Sequence, residues 1–297
     1  MPSLKDLRDR ISSVQSTKKI TSAMKLVAGA RLKKARTEAE SSRPYVNRMQ
    51  AIIDNVTSNI QNIENAPEII KGKENSKTHL IVLMTSDRGL CGAFNTAITK
   101  LAKAKIKKLL NSNKIVKIFC IGKKGLDHLK REFNELIIDS IPISTQKRID
   151  YEFATKISNK ILLMYENEEF DVAHIIFSLF KSAIKQEAQL KQIIPVLHED
   201  VENISKKDEN KDDAIYEYEP EEEEVLKNLV PQNVAIQIFS GLLENAAGEQ
   251  GARMTAMDNA TRNAGELVDK LTITYNRSRQ AAITKELIEI ISGAESL

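Results

Sequence analysis

One segment of the chain, ARMTAMDNATRNAGELVDKLTITYNRSRQAAITKE (residues 252–286), repeats apolar and small residues at alternating steps of three and four. This spacing places those side chains along one stripe of an α-helix, as in the seam of a coiled coil. The seam positions are Met254, Met257, Thr261, Ala264, Val268, Leu271, Tyr275, Ser278 and Ala282. A lone helix would expose this stripe to water, so the segment predicts a second long helix packed against it.

The first 60 residues have the pattern of that second helix. Their apolar residues start at steps of three and four and then drift around the helix: Leu4, Leu7, Ile11, Val14, Ile20, Met24 and Val27. Pro44 falls inside the pattern, and we expect a kink there because proline removes one backbone hydrogen bond. Since a long connection separates the two helices, we predict an antiparallel coiled coil formed by residues 1–60 and 229–297.

The period changes in residues 75–200, which predict a separate α/β domain. Three short runs rich in β-branched residues have the length of buried strands, at 79–85, 114–121 and 171–178. A helix is predicted after each of these strands, and the helices with clear bounds are 95–110, 125–133 and 151–166. The alternation predicts a small, mostly parallel, Rossmann-like sheet. A further run, 192–197, contains Pro195 and is predicted to be an edge strand, where a missing N–H is tolerated.

Charge is unevenly distributed along the chain, although the net charge is only +3. Residues 1–36 carry ten Lys or Arg against two Asp, whereas residues 199–224 carry thirteen Asp or Glu against three Lys. The composition of residues 208–224 favours a disordered loop within a predicted acidic linker at 201–228. Tyr216 and Tyr218, which alternate with glutamates in this linker, favour a docking segment instead.

The cysteines and the hydropathy of the chain indicate its cellular compartment. Cys91 and Cys120 lie far apart and form no metal-binding or redox motif, which favours a reducing environment. Because no apolar run is long enough to span a bilayer, we expect a cytoplasmic chain that reaches a membrane only through a partner.

The segment 85–95 follows the first predicted strand, at the position where α/β proteins bind phosphates. It has neither the GxGxxG spacing nor a P-loop lysine, so we predict a strand-to-helix turn in which glycine supplies a positive φ angle. The segment Gly122-Lys-Lys-Gly125 is also predicted to be a turn, and the four scattered histidines indicate no metal site. The pattern contains no catalytic constellation, and we expect no cofactor.

Two alternatives remain open from the residues alone. The first is a nucleotide-using α/β enzyme built on residues 75–200. The second is a coiled coil that binds nucleic acid through the basic residues of the first helix. The absence of interleaved aromatic residues and the strict apolar seam weigh against the second alternative.

Three segments, in order along nearly the whole chain, resemble the gamma subunit of bacterial-type (F-type) ATP synthase. They are ISSVQSTKKITSAMKLVA (residues 11–28), SDRGLCGAFN (residues 86–95) and ARMTAMDNATRNA (residues 252–264), the last continuing into LTITYNRSRQAAITKE (residues 271–286). The resemblance implies the central stalk of a proton-translocating ATP synthase, with the two terminal helices paired inside a hexamer of alpha and beta subunits. It also implies a subunit without an active site, because catalysis in this family belongs to the hexamer.

The resemblance further implies partners and contact residues. Met24 and Lys25 match positions that press against a loop of the catalytic subunit, and Arg279, Gln280 and Thr284 match the opposite helix at the same level. The segment containing Tyr216, Tyr218 and Glu219 matches the family's foot, which meets the c-ring and the epsilon subunit. The expected location is therefore the cytoplasmic face of a bacterial inner membrane, held there by partner subunits.

Overall fold

The computed structural model describes residues 3–59, 68–73, 76–145, 148–196 and 222–295. The chain divides into two compact units. One unit consists of Met1–Ala30 and Arg253–Leu297, and the other of Arg31–Ala252.

Two long helices contribute to both units. Helix α1 spans Leu4–Asn59 and continues on both sides of Pro44, so the proline does not end it. The last helix, α6, spans Glu222–Glu295. It therefore begins inside the predicted acidic linker, seven residues before position 229.

A five-stranded sheet forms the centre of the second unit. Its strands are β1 (Thr78–Met84), β2 (Ile115–Ile121), β3 (Ile137–Ile141), β4 (Val172–Phe180) and β5 (Gln186–Ile194). The strand order is β3-β2-β1-β4-β5. All neighbours pair in parallel except β4 and β5, which are antiparallel. The mostly parallel α/β fold is thereby confirmed.

Three details of the sheet differ from the prediction. The helix expected after the third predicted strand is absent among residues 181–196, where the chain turns back as β5. The edge strand predicted at 192–197 is displaced, because β5 spans Gln186–Ile194 and Pro195 follows its last residue instead of lying inside it. The pattern did not predict β3, a five-residue strand on the other edge. Both edge strands carry polar residues and stay partly exposed, so they lack the apolar run of a central strand.

Helices cover both faces of the sheet. One face packs against α3 (Phe94–Asn111) and α4 (Lys123–Phe133), and the other against α5 (Tyr151–Glu166) and the first half of α6. A smaller cluster joins α1 with the short helix α2 (Glu68–Lys71). This two-sided burial explains why β1, β2 and β4 are nearly continuous in apolar residues.

Two histidines lie side by side within the sheet. His79 on β1 and His174 on β4 are both buried, and their ring centroids are 5.8 Å apart. The pKa of His79 is lowered to about 4, first of all by burial. The nearby charges of Lys105 and Lys114 also lower it, and the Asp171 carboxylate raises it. The folded sheet therefore holds His79 in its neutral form at neutral pH.

We expect acidification to destabilise the sheet through His79. Because its folded pKa lies below the ordinary value of 6.5, its contribution is complete above pH 6.5 and is lost as the pH falls toward 4. The full loss is about 3 kcal/mol. Urea unfolding of the chain between pH 7 and pH 4 measures it, with His79→Gln as the matched variant. The variant should show a shallower fall in the free energy of unfolding; parallel curves for the two proteins would contradict the assignment.

Candidate partner-binding surfaces

In the first unit, α1 and α6 pack along the seam proposed from the sequence. Met257 and Ala264 are buried, and Met254 and Thr261 are partly buried. The later seam positions are each partly buried between two exposed residues: Val268, Leu271, Tyr275, Ser278 and Ala282. On the part of α1 that belongs to this unit, the buried positions are Leu7, Thr21 and Ala28. Small side chains at the seam allow the two helices to approach closely, which favours a stiff pair.

On α1, the residues at the seam differ from the apolar residues predicted from the sequence. Ile20 and Val27 are 60% and 51% exposed, and the adjacent residues Thr21 and Ala28 occupy the seam instead. One residue corresponds to about 100° around a helix, so Ile20 and Val27 lie well away from α6. Together with Leu26, they form an exposed apolar patch on α1.

Three polar contacts define how the two helices align. The Thr261 hydroxyl donates to the Thr21 hydroxyl at 2.8 Å. Lys25 Nζ donates to Asp258 Oδ1 at 2.6 Å, and this bond lowers the pKa of the Asp258 carboxyl. Arg8 Nη2 donates to the Tyr275 hydroxyl at 3.3 Å. Residue numbers rise on α6 as they fall on α1, so the pair is antiparallel.

This alignment corrects the levels expected for the contact residues. Lys25 is level with Asp258, whereas Arg279 is level with the start of α1, because Arg8 already faces Tyr275. Arg279 therefore lies roughly 30 Å further along α6 than Asp258, at 1.5 Å per residue. The expectation that Met24 and Arg279 share one level was wrong, because sequence segments carry no information about the helix register.

The candidate contact residues differ in exposure. Met24 and Lys25 are partly buried beside α6. Arg279, Gln280 and Thr284 are exposed, and the Thr284 hydroxyl donates to the Gln280 carbonyl one turn earlier at 2.9 Å. The first group is therefore part of the helix pair itself, and the second presents its side chains outward.

The end of α6 carries an exposed apolar surface that the sequence analysis missed. Its large apolar side chains are Ile283, Leu287, Ile288, Ile290 and Ile291, all about half exposed or more. In the described part of the chain α1 begins at Leu4, so these residues lie beyond its first turn. The signal was present in the sequence as apolar residues that continue past the last seam position. Surfaces of this kind are typical of contacts with another protein.

The loop after β1 uses its polar side chains to hold its own shape. Asn95 Oδ1 accepts from the Ser86 backbone N–H at 3.0 Å, and Asn95 Nδ2 donates to the Ser86 hydroxyl at 2.8 Å and to Cys91 Sγ at 3.3 Å. Gly92 has a positive φ angle of +56°, as predicted for a glycine in this turn. Leu90 also has a positive φ angle, +62°, which was not predicted. The predicted strand-to-helix turn is confirmed.

The same loop is tied to the turns that follow β2 and β3. The Asp87 carboxylate accepts hydrogen bonds from the backbone N–H groups of Lys123 and Ser144. Burial raises the pKa of Asp87, but these bonds outweigh burial and hold that pKa below its ordinary value. Thr85 Oγ1 accepts from the Gly125 backbone N–H at 2.7 Å. These contacts make the ends of β1 and β2 one connected structure.

Tyr216, Tyr218 and Glu219 lie outside the described residues. Among the residues that are described, no helix combines the length and apolar character needed to cross a membrane, and no cluster of three His, Cys, Asp or Glu could hold a metal ion.

Comparison with known proteins gives consistent matches. The sequence model of the family described as ATP synthase matches residues 3–297. The chain is 52% identical to the ATP synthase gamma chain of Pelagibacter ubique over 297 residues, which cover 100% of both chains. It is 50% identical to that of Paracoccus denitrificans over 297 residues, again with 100% of both covered.

Solved structures agree in fold. The chain resembles one from the central stalk and c-ring of Tetrahymena thermophila mitochondrial ATP synthase, with a TM-score of 0.59, 25% identity and coverage of 81% of this chain and 99% of that one. A chain from Euglena gracilis mitochondrial ATP synthase gives a TM-score of 0.68 at 21% identity, with 99% and 94% covered.

Proposed function

The chain belongs to the gamma-chain family of ATP synthase, and we propose that it acts as the central rotor of that enzyme without an active site of its own. In this role it transmits rotation between the membrane c-ring and the catalytic hexamer of alpha and beta subunits. The observation that carries the proposal is the antiparallel helix pair of the first unit, found in a chain that matches the family over its whole length.

The helix pair is suited to act by shape and not by chemistry. Its surface differs around the axis, because α1 exposes the apolar patch Ile20, Leu26 and Val27 while its opposite side packs on α6. A shaft with unequal sides contacts each catalytic subunit differently and so favours a different conformation in each. Rotation then moves each subunit through those conformations in turn.

The lack of an active site is supported by the loops at the strand ends. Ser86, Asp87 and Asn95 occupy the position where α/β enzymes bind substrates, and each is engaged in hydrogen bonds that fix the loop. No specific observation favours the nucleotide-using enzyme or the nucleic-acid-binding coiled coil.

We assign hexamer contacts at two levels of the shaft. Met24 and Lys25 form one level, and Arg279, Gln280 and Thr284 form another about 30 Å along α6. The exposed apolar end of α6 makes a further contact with the hexamer. Residues 201–228, with Tyr216, Tyr218 and Glu219, form the foot that meets the c-ring and the epsilon subunit. These partners hold the chain at the cytoplasmic face of a bacterial inner membrane.

Purification of an affinity-tagged copy from cells whose own gene has been replaced tests the function. The tagged chain should bring down a nucleotide-binding hexamer, and the complex should hydrolyse ATP while the isolated chain does not. A strain that expresses the same tag on an unrelated protein is the control. Hydrolysis by the bare chain, or purification without any hexamer, would contradict the proposal.

A further inference from the structure

The end of β4 extends past its neighbour β1. The parallel ladder between the two strands ends at the pair Leu83 and Ile176, whereas β4 continues to Phe180. Beyond Ile176, backbone groups of β4 bond to helix side chains. The Ser178 N–H donates to Asn245 Oδ1 at 3.3 Å, and the Phe180 N–H donates to Glu244 Oε2 at 2.9 Å. Side chains of α6 thus continue the ladder where β1 ends.

Arg43 of α1 completes this arrangement. Its Nε donates to Glu244 Oε1 at 2.6 Å, and its Nη2 donates to Glu244 Oε2 at 3.0 Å and to the Phe180 carbonyl at 2.8 Å. The three residues therefore form a closed ring of hydrogen bonds in which α1, α6 and β4 each bond to the other two. The planar guanidinium suits this ring because its donors have a fixed fork geometry.

The carboxylate of this hydrogen-bonded ring is buried. The Glu244 side chain is 2% exposed and that of Arg43 is 40% exposed, so the carboxylate depends on its partners to offset the loss of water. Next to it, α6 lies close to the sheet. A Cβ atom added at Gly248 would stand 3.0 Å from Phe94 Cε2 and 3.4 Å from Ser178 Oγ. Directional hydrogen bonds and close packing therefore occur together where α6 contacts the end of β4.

Elsewhere α6 packs on the sheet mainly through apolar side chains. Val234, Ile238 and Leu242 of α6 pack on the sheet through non-directional contacts. Such contacts resist separation, but they resist sliding and rotation less well than bonds with fixed directions. A rotor needs resistance to sliding and rotation where torque passes between its parts.

We propose that Arg43 and Glu244, closed over the end of β4 at Phe180, form the joint that locks the segments of α1 and α6 within the second unit to the sheet, so that these segments and the sheet turn together. This inference rests on the proposed rotor function. Arg43 and Glu244 are positioning residues, because they touch neither nucleotide nor the transported ion. Their removal weakens the coupling between rotation and catalysis more than it weakens catalysis.

The test uses the assembled enzyme in inverted membrane vesicles that carry Arg43→Met. Methionine keeps an unbranched chain of similar length but removes all three bonds of the guanidinium. ATP hydrolysis and ATP-driven ion pumping are measured on the same vesicles and divided by the amount of assembled complex. We expect hydrolysis to persist and the ratio of pumping to hydrolysis to fall several-fold. An unchanged ratio would overturn the proposal.

Arg148→Met is the matched control. Arg148 pairs with Glu38 of α1 at 2.8 Å, but its side chain is 66% exposed and the pair does not involve β4. Exposed pairs contribute little to stability, so this variant should keep the wild-type ratio of pumping to hydrolysis. The same fall in both variants would indicate a general loss of surface charge and would overturn the joint.

Arg43→Lys covers the case in which Arg43→Met does not assemble. Lysine keeps the charge but lacks the fork, so an intermediate ratio is expected, and a wild-type ratio would overturn the proposal. Failure of the rotor function itself has a different signature. In that case the wild-type tagged chain would bring down no hexamer, whatever the variants do.

Discussion

Replacing Val268 and Leu271 together with Asp is expected to abolish coupled ATP synthesis by the assembled enzyme. Both side chains lie on the α6 seam and are partly buried against α1. Each Asp would place a carboxylate in this apolar stripe, at a cost of roughly 1–3 kcal/mol if it finds no partner. The two helices should separate locally, and the shaft would then bend instead of transmitting torque. ATP synthesis by energised membrane vesicles, normalised to assembled complex, measures the effect.

Ile273→Asp is the control for this double variant. Ile273 lies on the same stretch of α6 but is 70% exposed, so an Asp there stays in water. Thermal unfolding of the purified chain, followed by the circular dichroism of its helices, should be shifted by the seam variant and not by the control. Unchanged synthesis and unchanged unfolding in the double variant would show that the seam does not hold the shaft together.

The α6 seam could be predicted because its spacing is regular over nine positions, and spacing is what a helix interface requires. The α1 side was less predictable. Ile20 and Val27 are more apolar than Thr21 and Ala28, yet the smaller residues occupy the seam. Close approach of the helices and the bond between Thr21 and Thr261 favour small side chains there. Hydropathy alone ranks these residues in the wrong order.

The strands of the sheet also differ in how well the sequence predicts them. Strands β1, β2 and β4 are buried on both faces, so their apolar runs are visible in the sequence. In the edge strands β3 and β5, polar residues interrupt the apolar ones, so the sequence of these strands could not be distinguished from that of a loop or a helix. The joint at Arg43 was also invisible, because Arg43 and Glu244 lie 201 positions apart and neither belongs to a motif.

Gly122→Ala is expected to destabilise the α/β domain by about 3–5 kcal/mol. Gly122 has a φ angle of +101°, which side chains strongly disfavour, and an added Cβ would stand 2.2 Å from the Thr85 carbonyl oxygen. That oxygen belongs to backbone, and Thr85 also donates its N–H to the Ile121 carbonyl at 2.8 Å. Relief of the clash would therefore separate the ends of β1 and β2.

Gly89→Ala is the matched control for that loss, because it makes the same chemical change in the other loop. No atom lies within 4 Å of the Cβ position at Gly89, and its φ angle is not among the positive ones. We expect its free energy of unfolding in urea to stay within about 0.5 kcal/mol of the wild type. If the two variants unfolded at the same urea concentration, the contact between Gly122 and Thr85 would not be what holds the strand ends together. If only Gly122→Ala lost stability, the glycines after β2 would serve backbone packing and not the cradling of a phosphate.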